Sequence, residues 1–183
     1  WFAWQRHGEA GRPDIMTLAK GLTGAHLPLG AVVVSAQVAR VLEPQMLLTG
    51  LTYCGHPLAC AAGVAAVRSY QDDGLIERSR RLGAVMFERM RRMQSHHRSI
   101  GDVRGGDGLF GVIELVKDRA SREPLSPWPQ MHPALAGLLA AALRRGVSFA
   151  ARGNLILLAP PLVIEASELQ QALDLLDELL EKV

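Results

Sequence analysis

The sequence has 183 residues, 49% hydrophobic and 21% charged, with a formal net charge of +2. That length suffices to bury a core as one domain or two small ones, and the composition favours neither a disordered chain nor a membrane protein, since the longest apolar runs, LACAAGVAAV and LAGLLAAAL, are too short to span a bilayer. The small net charge gives no argument for nucleic acid, and Cys54 and Cys60, which lack CxxC spacing, indicate neither a disulfide framework nor a metal site.

The chain opens on WFAWQRHGEAG, without an initiator methionine or the apolar stretch of a signal peptide. The opening predicts a start inside a longer polypeptide and a reducing cytoplasm as the compartment. After the loop HGEAGRPD, residues Ile15 to Leu18 read as a buried strand with Lys20 and Gly21 at its carboxyl end, where open α/β sheets bind ligands. A second strand is predicted over Leu29 to Ser35 and a short helix over Gln37 to Leu42. GHPLACAAGVAAVRSY predicts a helix with Pro57 in its first turn, where a missing N–H costs nothing, and small residues that admit another backbone closely. QDDG breaks the pattern before the amphipathic helix LIERSRRLGAVMFERMRRMQ.

That helix belongs to an arginine-rich stretch containing Arg78, Arg80, Arg81, Arg89, Arg91, Arg92 and Arg98, in which the single Phe87 makes no interleaved base-stacking platform, so a solvated helix face is expected. The glycine-rich SHHRSIGDVRGGDG is the expected domain boundary. Beyond it come a strand over LFGVIELV, a loop with three prolines, a helix over HPALAGLLAAALRR, and two strands, VSFAA and NLILLA, joined by a tight turn at Arg152 and Gly153. Ser167 and Gln170 form a capping-box pattern for the terminal helix. The second half is thus predicted as a small α+β unit of three strands and two helices.

Lys20 stands out because its segment, PDIMTLAKGLTGAHLPLGAVVVS, offers no nearby carboxylate, and the other lysines, Lys117 and Lys182, lie in polar surroundings. An ammonium moved into apolar surroundings loses hydration, which favours the neutral, nucleophilic amine that a Schiff-base lysine requires. The alternative is a lysine that snorkels its head to water from the end of a buried strand.

PDIMTLAKGLTGAHLPLGAVVVS closely resembles the cofactor-lysine segment of class III aminotransferases, fold-type I enzymes that use pyridoxal 5'-phosphate. TYCGHPLACAAG and RGNLILLAPPL resemble two further elements of that family, in the same order. The resemblance implies an α/β chain: a fold-type I fragment with the end of the mainly parallel large-domain sheet over residues 1–70, a connecting helix over 71–98, and a small C-terminal α+β domain over 99–183. It also implies transamination between an amine or ω-amino acid and a keto acid, in a homodimer. Lys20 matches the lysine that binds the cofactor and then shuttles a proton, and Thr52 the threonine that reaches the cofactor phosphate of the neighbouring protomer. Arg152 corresponds to a substrate-carboxylate arginine, displaced here from three residues before the glycine to the residue directly before Gly153; a surface salt bridge is its other reading. Thr52 has a helix-capping alternative, and His56 and Asp14 read as structural.

The family's phosphate loop, ring-stacking aromatic and acidic partner of the pyridine nitrogen are supplied upstream of the matching segments, so the chain alone is expected to be an incomplete catalyst. An aminomutase or racemase of the same fold, an unrelated Schiff-base lyase, and an inactive fragment or scaffold are the alternative functions.

Overall fold

A computed structural model describes residues 1–183, which form two compact units, Trp1–Gly74 and Leu75–Val183. The α/β class holds, and every strand pairing within the chain is antiparallel. No helix is long and apolar enough to cross a membrane.

In the first unit, β1 (Ile15–Leu18) pairs with β2 (Ala31–Val34) as a two-stranded ribbon, with Ile15 opposite Val34 and Leu18 opposite Ala31. The expectation of a buried strand at Ile15 to Leu18 is corrected: Ile15 is 59% exposed and Val32 65%, because no other element of the chain is layered over the ribbon. Helix α1 (Ala36–Leu42) starts where the Ser35 side chain accepts a hydrogen bond from the Val38 N–H. Helix α2 (Pro57–Asp72) carries Pro57 at its first position, and its close-approach face is real: a Cβ on buried Gly63 would lie 3.0 Å from Leu29 Cδ2 and 3.7 Å from the Leu22 carbonyl oxygen.

The second unit contains α3 (Leu75–His96), β3 (Ile100–Gly105), β4 (Gly111–Asp118), the short β5 (Glu123–Pro124), α4 (Pro133–Arg144), β6 (Ala150–Arg152), β7 (Leu155–Leu158) and α5 (Ala166–Leu180). The sheet order is β3-β4-β7-β6, with β5 pairing β4. Alternate residues of β4 (Gly111, Ile113, Leu115) and β7 (Ile156, Leu158) turn into a core shared with Met86, Met90 and Met93 of α3, Leu135 and Leu138 of α4, and Leu173 and Leu176 of α5. Their period of two on the strands meets the helical period of α3 and α5, and area removed from water is the main favourable term. At Gly83 the helix α3 packs directly on backbone, since a Cβ there would fall 2.2 Å from the Gly108 carbonyl oxygen.

Three expectations change. The break between units falls at Gly74 rather than at residues 95–108, because the apolar face of α3 is buried in the second unit's core instead of bridging two domains. The glycine-rich stretch holds a strand, β3, in which Asp102 and Arg104 form a charged ladder with Glu114 through contacts of 2.6 and 2.7 Å. The terminal helix starts earlier than read: Glu165 and Glu168 form the reciprocal capping box, and Ser167 lies inside the helix. Arg80 and Arg92 of the arginine-rich helix lie on the solvated face expected, whereas Arg78 and Arg89 are mostly covered and bond to Glu165 at 3.0 Å and Asp174 at 2.7 Å, both in the α5 region.

Candidate active site

Lys20 begins a 3-10 turn, Lys20–Thr23, directly after β1 and the extended residue Ala19. Its own backbone is left-handed, at φ +53. For a residue with a Cβ this conformation costs about 1–2 kcal/mol, and such strain collects at functional positions where the surroundings hold it in place. The surroundings here are specific. The Leu22 N–H donates to the Ala19 carbonyl and the Ala25 N–H to the Lys20 carbonyl, at 3.2 and 3.1 Å, while the hydroxyl of buried Thr23 donates to the Leu27 carbonyl at 2.7 Å. From α2 the Tyr70 hydroxyl donates to the Gly21 carbonyl at 2.8 Å, and the Trp1 ring meets the Tyr70 ring edge-on at 5.6 Å. Tyr70 therefore pins the peptide next to Lys20. Sequence reading missed it, because a tyrosine in the last turns of a helix carries no signal of what it reaches 49 residues upstream.

The Lys20 side chain itself is exposed. The apolar surroundings suggested by its sequence neighbours are not supplied within this unit, because the ribbon's own apolar faces are open. Within this unit Lys20 is marked instead by a strained backbone fixed from two elements.

Thr52 lies in the exposed turn before α2, in which the Cys54 N–H donates to the Leu51 carbonyl at 2.9 Å and Gly55 takes φ +66. The helix-capping alternative is not realised: His56 is the N-cap of α2, and no side chain caps it. His56 instead packs near Tyr53, with ring centroids 5.9 Å apart. These two residues line a cavity of about 400 Å³ with Leu27, Pro28, Leu58 and Ala59, so the turn of Thr52 and the loop that follows Lys20 share a wall. No hydrogen bond joins Lys20 to Thr52.

Arg152 ends β6 in the second unit and is exposed. Its salt-bridge alternative is also corrected, for its guanidinium lies over the Trp128 indole, 5.2 Å from the ring centroid, and no carboxylate of the chain pairs with it.

The fold, with Lys20 at a strand end ahead of a small α+β unit, is that of solved fold-type I transaminases. The sequence model of the class-III aminotransferases matches residues 1–180, and the chain belongs to that family. It is 32% identical over 178 residues to a putrescine–pyruvate aminotransferase of Pseudomonas aeruginosa, covering 96% of this chain and 37% of that protein. It is 34% identical to a leucine/methionine racemase of Thermococcus litoralis, covering 97% of this chain and 38% of the relative. Among solved structures, a taurine:2-oxoglutarate aminotransferase of Bifidobacterium kashiwanohense, in complex with PLP and glutamate, superposes with a TM-score of 0.89 at 35% identity, over 98% of this chain and 40% of that one. The chain therefore spans somewhat over a third of the length of the curated relatives it matches.

Proposed function

We propose that this chain is the carboxyl-terminal portion of a pyridoxal-phosphate-dependent aminotransferase that moves an amino group between an amine or ω-amino acid and a keto acid. The observation that carries the reading is Lys20: an exposed primary amine on a left-handed residue at a strand end, braced by Tyr70, inside a family match that runs from residue 1 to 180.

The donor set fits the cofactor. Lys20 offers an accessible amine and Thr52 an exposed hydroxyl beside free turn backbone, suited to an aldehyde and a phosphate respectively. When bound, pyridoxal phosphate supplies the carbonyl carbon and the electron-withdrawing ring. Lys20 Nζ would hold it and, once freed by the amino donor, would carry a proton from the substrate Cα to the cofactor carbon C4', one group serving as nucleophile and then as general base. Thr52 Oγ1 donates to the phosphate of the neighbouring protomer's site, and Arg152 offers two N–H groups to a substrate carboxylate.

A homodimer is proposed on the same grounds. The segment before and around Thr52 exposes Met46 (83%), Leu47, Leu48 (88%), Leu51 and Tyr53, an apolar surface of the kind that marks an interaction site. Residues 1–74 are assigned to the end of the large cofactor domain and 75–183, with α3 packed into their core, to the small domain. A cytoplasmic location accords with the exposed, unpaired thiols of Cys54 and Cys60.

A racemase or aminomutase is the second reading, favoured by the similarity to the leucine/methionine racemase. The test begins with absorbance: the purified chain mixed with pyridoxal phosphate develops a visible band that Lys20→Ala abolishes. A folded chain without such a band speaks for the scaffold reading. Transfer of the amino group to a keto acid, against inversion of the same substrate without transfer, separates aminotransferase from racemase in the longer protein.

A further inference from the structure

We infer that Trp128 is a positioning residue that fixes the Arg152 guanidinium as a clamp for substrates that carry a carboxylate. This rests on the reading that Arg152 meets substrate.

Two arms of the second unit meet at one residue of β4, Leu115. The Leu115 carbonyl accepts hydrogen bonds from the Asn154 side-chain amide at 2.9 Å and from the Leu125 N–H at 3.2 Å, while the Leu115 N–H donates to the Asn154 carbonyl at 2.9 Å. Asn154 closes the β6–β7 turn that carries Arg152 and Gly153. Leu125 and Ser126, both buried, anchor the loop that carries Trp128. The two arms that bring guanidinium and indole together are therefore registered on the same backbone group.

The indole is seated on the turn as well as under the arginine. Gly153 is buried at φ +59, and a Cβ placed there would come 3.1 Å from Trp128 Cε3. Glycine at this position thus serves two needs, the left-handed turn and the approach of the ring. Trp128 remains 64% exposed, so its seat on the turn, and not the core, is what holds it.

A guanidinium stacked on an aromatic face keeps its N–H groups directed outward in the plane. With no carboxylate of the chain on Arg152, that edge is open to a planar, bidentate anion, and a carboxylate matches its spacing. A flexible arginine at this point would have to order three or four torsions on binding. The indole beneath the guanidinium restricts them beforehand, which raises affinity without a new contact.

The test follows the Arg152 Nε–H and Trp128 indole N–H resonances of the isotopically labelled chain during titration with pyruvate, used as a simple carboxylate. Saturable shifts at both groups are expected. Trp128→Leu should weaken binding about threefold and Trp128→Phe restore it, the scale of an exposed cation–π contact. Unchanged affinity in Trp128→Leu overturns the role of Trp128 while leaving Arg152 intact. Shifts that fail to saturate, or that survive in Arg152→Gln, overturn the underlying assignment of Arg152.

Discussion

The two units of the chain differ in where their apolar side chains go. In Leu75–Val183 the strands and helices bury a continuous core that includes Met86, Met90, Ile113, Ile156 and Leu176. In Trp1–Gly74 the buried residues are Thr23, Ala59 and Gly63, while Ile15, Val32 and Val33 of the β1–β2 ribbon and the apolar side chains of residues 46–53 lie open. The second unit closes a core of its own, whereas the ribbon and helices of the first leave apolar faces uncovered within a chain that spans somewhat over a third of its relatives' length.

That contrast makes graded predictions. Met90→Ala, in a fully buried position of the second unit, is expected to cost about 2–5 kcal/mol, whereas Leu48→Ala in the first should stay within about 0.5 kcal/mol. Denaturant unfolding followed by far-UV circular dichroism measures both, and similar costs would erase the distinction. Gly83→Ala forces a methyl onto the Gly108 carbonyl, so α3 must shift from β3 and β4, at about 1–3 kcal/mol in the same assay. Tyr70→Phe removes one hydrogen bond to Gly21 and should cost about 0.5–1.5 kcal/mol. Its diagnostic effect is local: amide exchange should quicken over residues 19–25 and stay unchanged in β4.

The smallest effect expected is on pH. Hydrogen bonds from the Arg80 guanidinium to Glu77, from the Ser121 backbone to Asp118, and from the Arg145 guanidinium to Glu178 hold these carboxyls below their usual range. All three lie in the second unit, and a carboxylate whose pKa is depressed by folding adds stability above its unfolded pKa of about 4, which is lost as pH falls through the folded value. All three are fully exposed, so solvent screening keeps the contribution small. The second unit's unfolding midpoint should decline modestly below about pH 4, and adding salt should flatten the decline.

Much of the fold was legible because periodicity and punctuation agreed. Pro57 marks the first turn of α2, Gly74 separates α2 from α3, and alternation in LFGVIELV matches the buried face of β4. Strand β3 was not legible, for a physical reason. A register shift between Ile100 and Asp102 spaces its buried residues, Ile100 and Val103, three apart instead of two, and its charges satisfy one another across the sheet. At the site, the candidate residues could be chosen by motif, but their surroundings could not. Lys20 was singled out for apolar neighbours that prove to be open ribbon, and the φ of +53 and the Tyr70 brace have no pattern in the sequence. The Arg152–Trp128 stack joins residues 24 positions apart through contacts that only the sheet register creates.

The most direct test of the account is covalent. The chain is incubated with pyridoxal phosphate, reduced with borohydride, digested, and mapped by mass spectrometry. The account predicts a pyridoxyl group on the peptide containing Lys20 at a stoichiometry well above that on Lys117 and Lys182. Labelling spread evenly over the three lysines, or none on Lys20 in a chain shown to be folded, would contradict it.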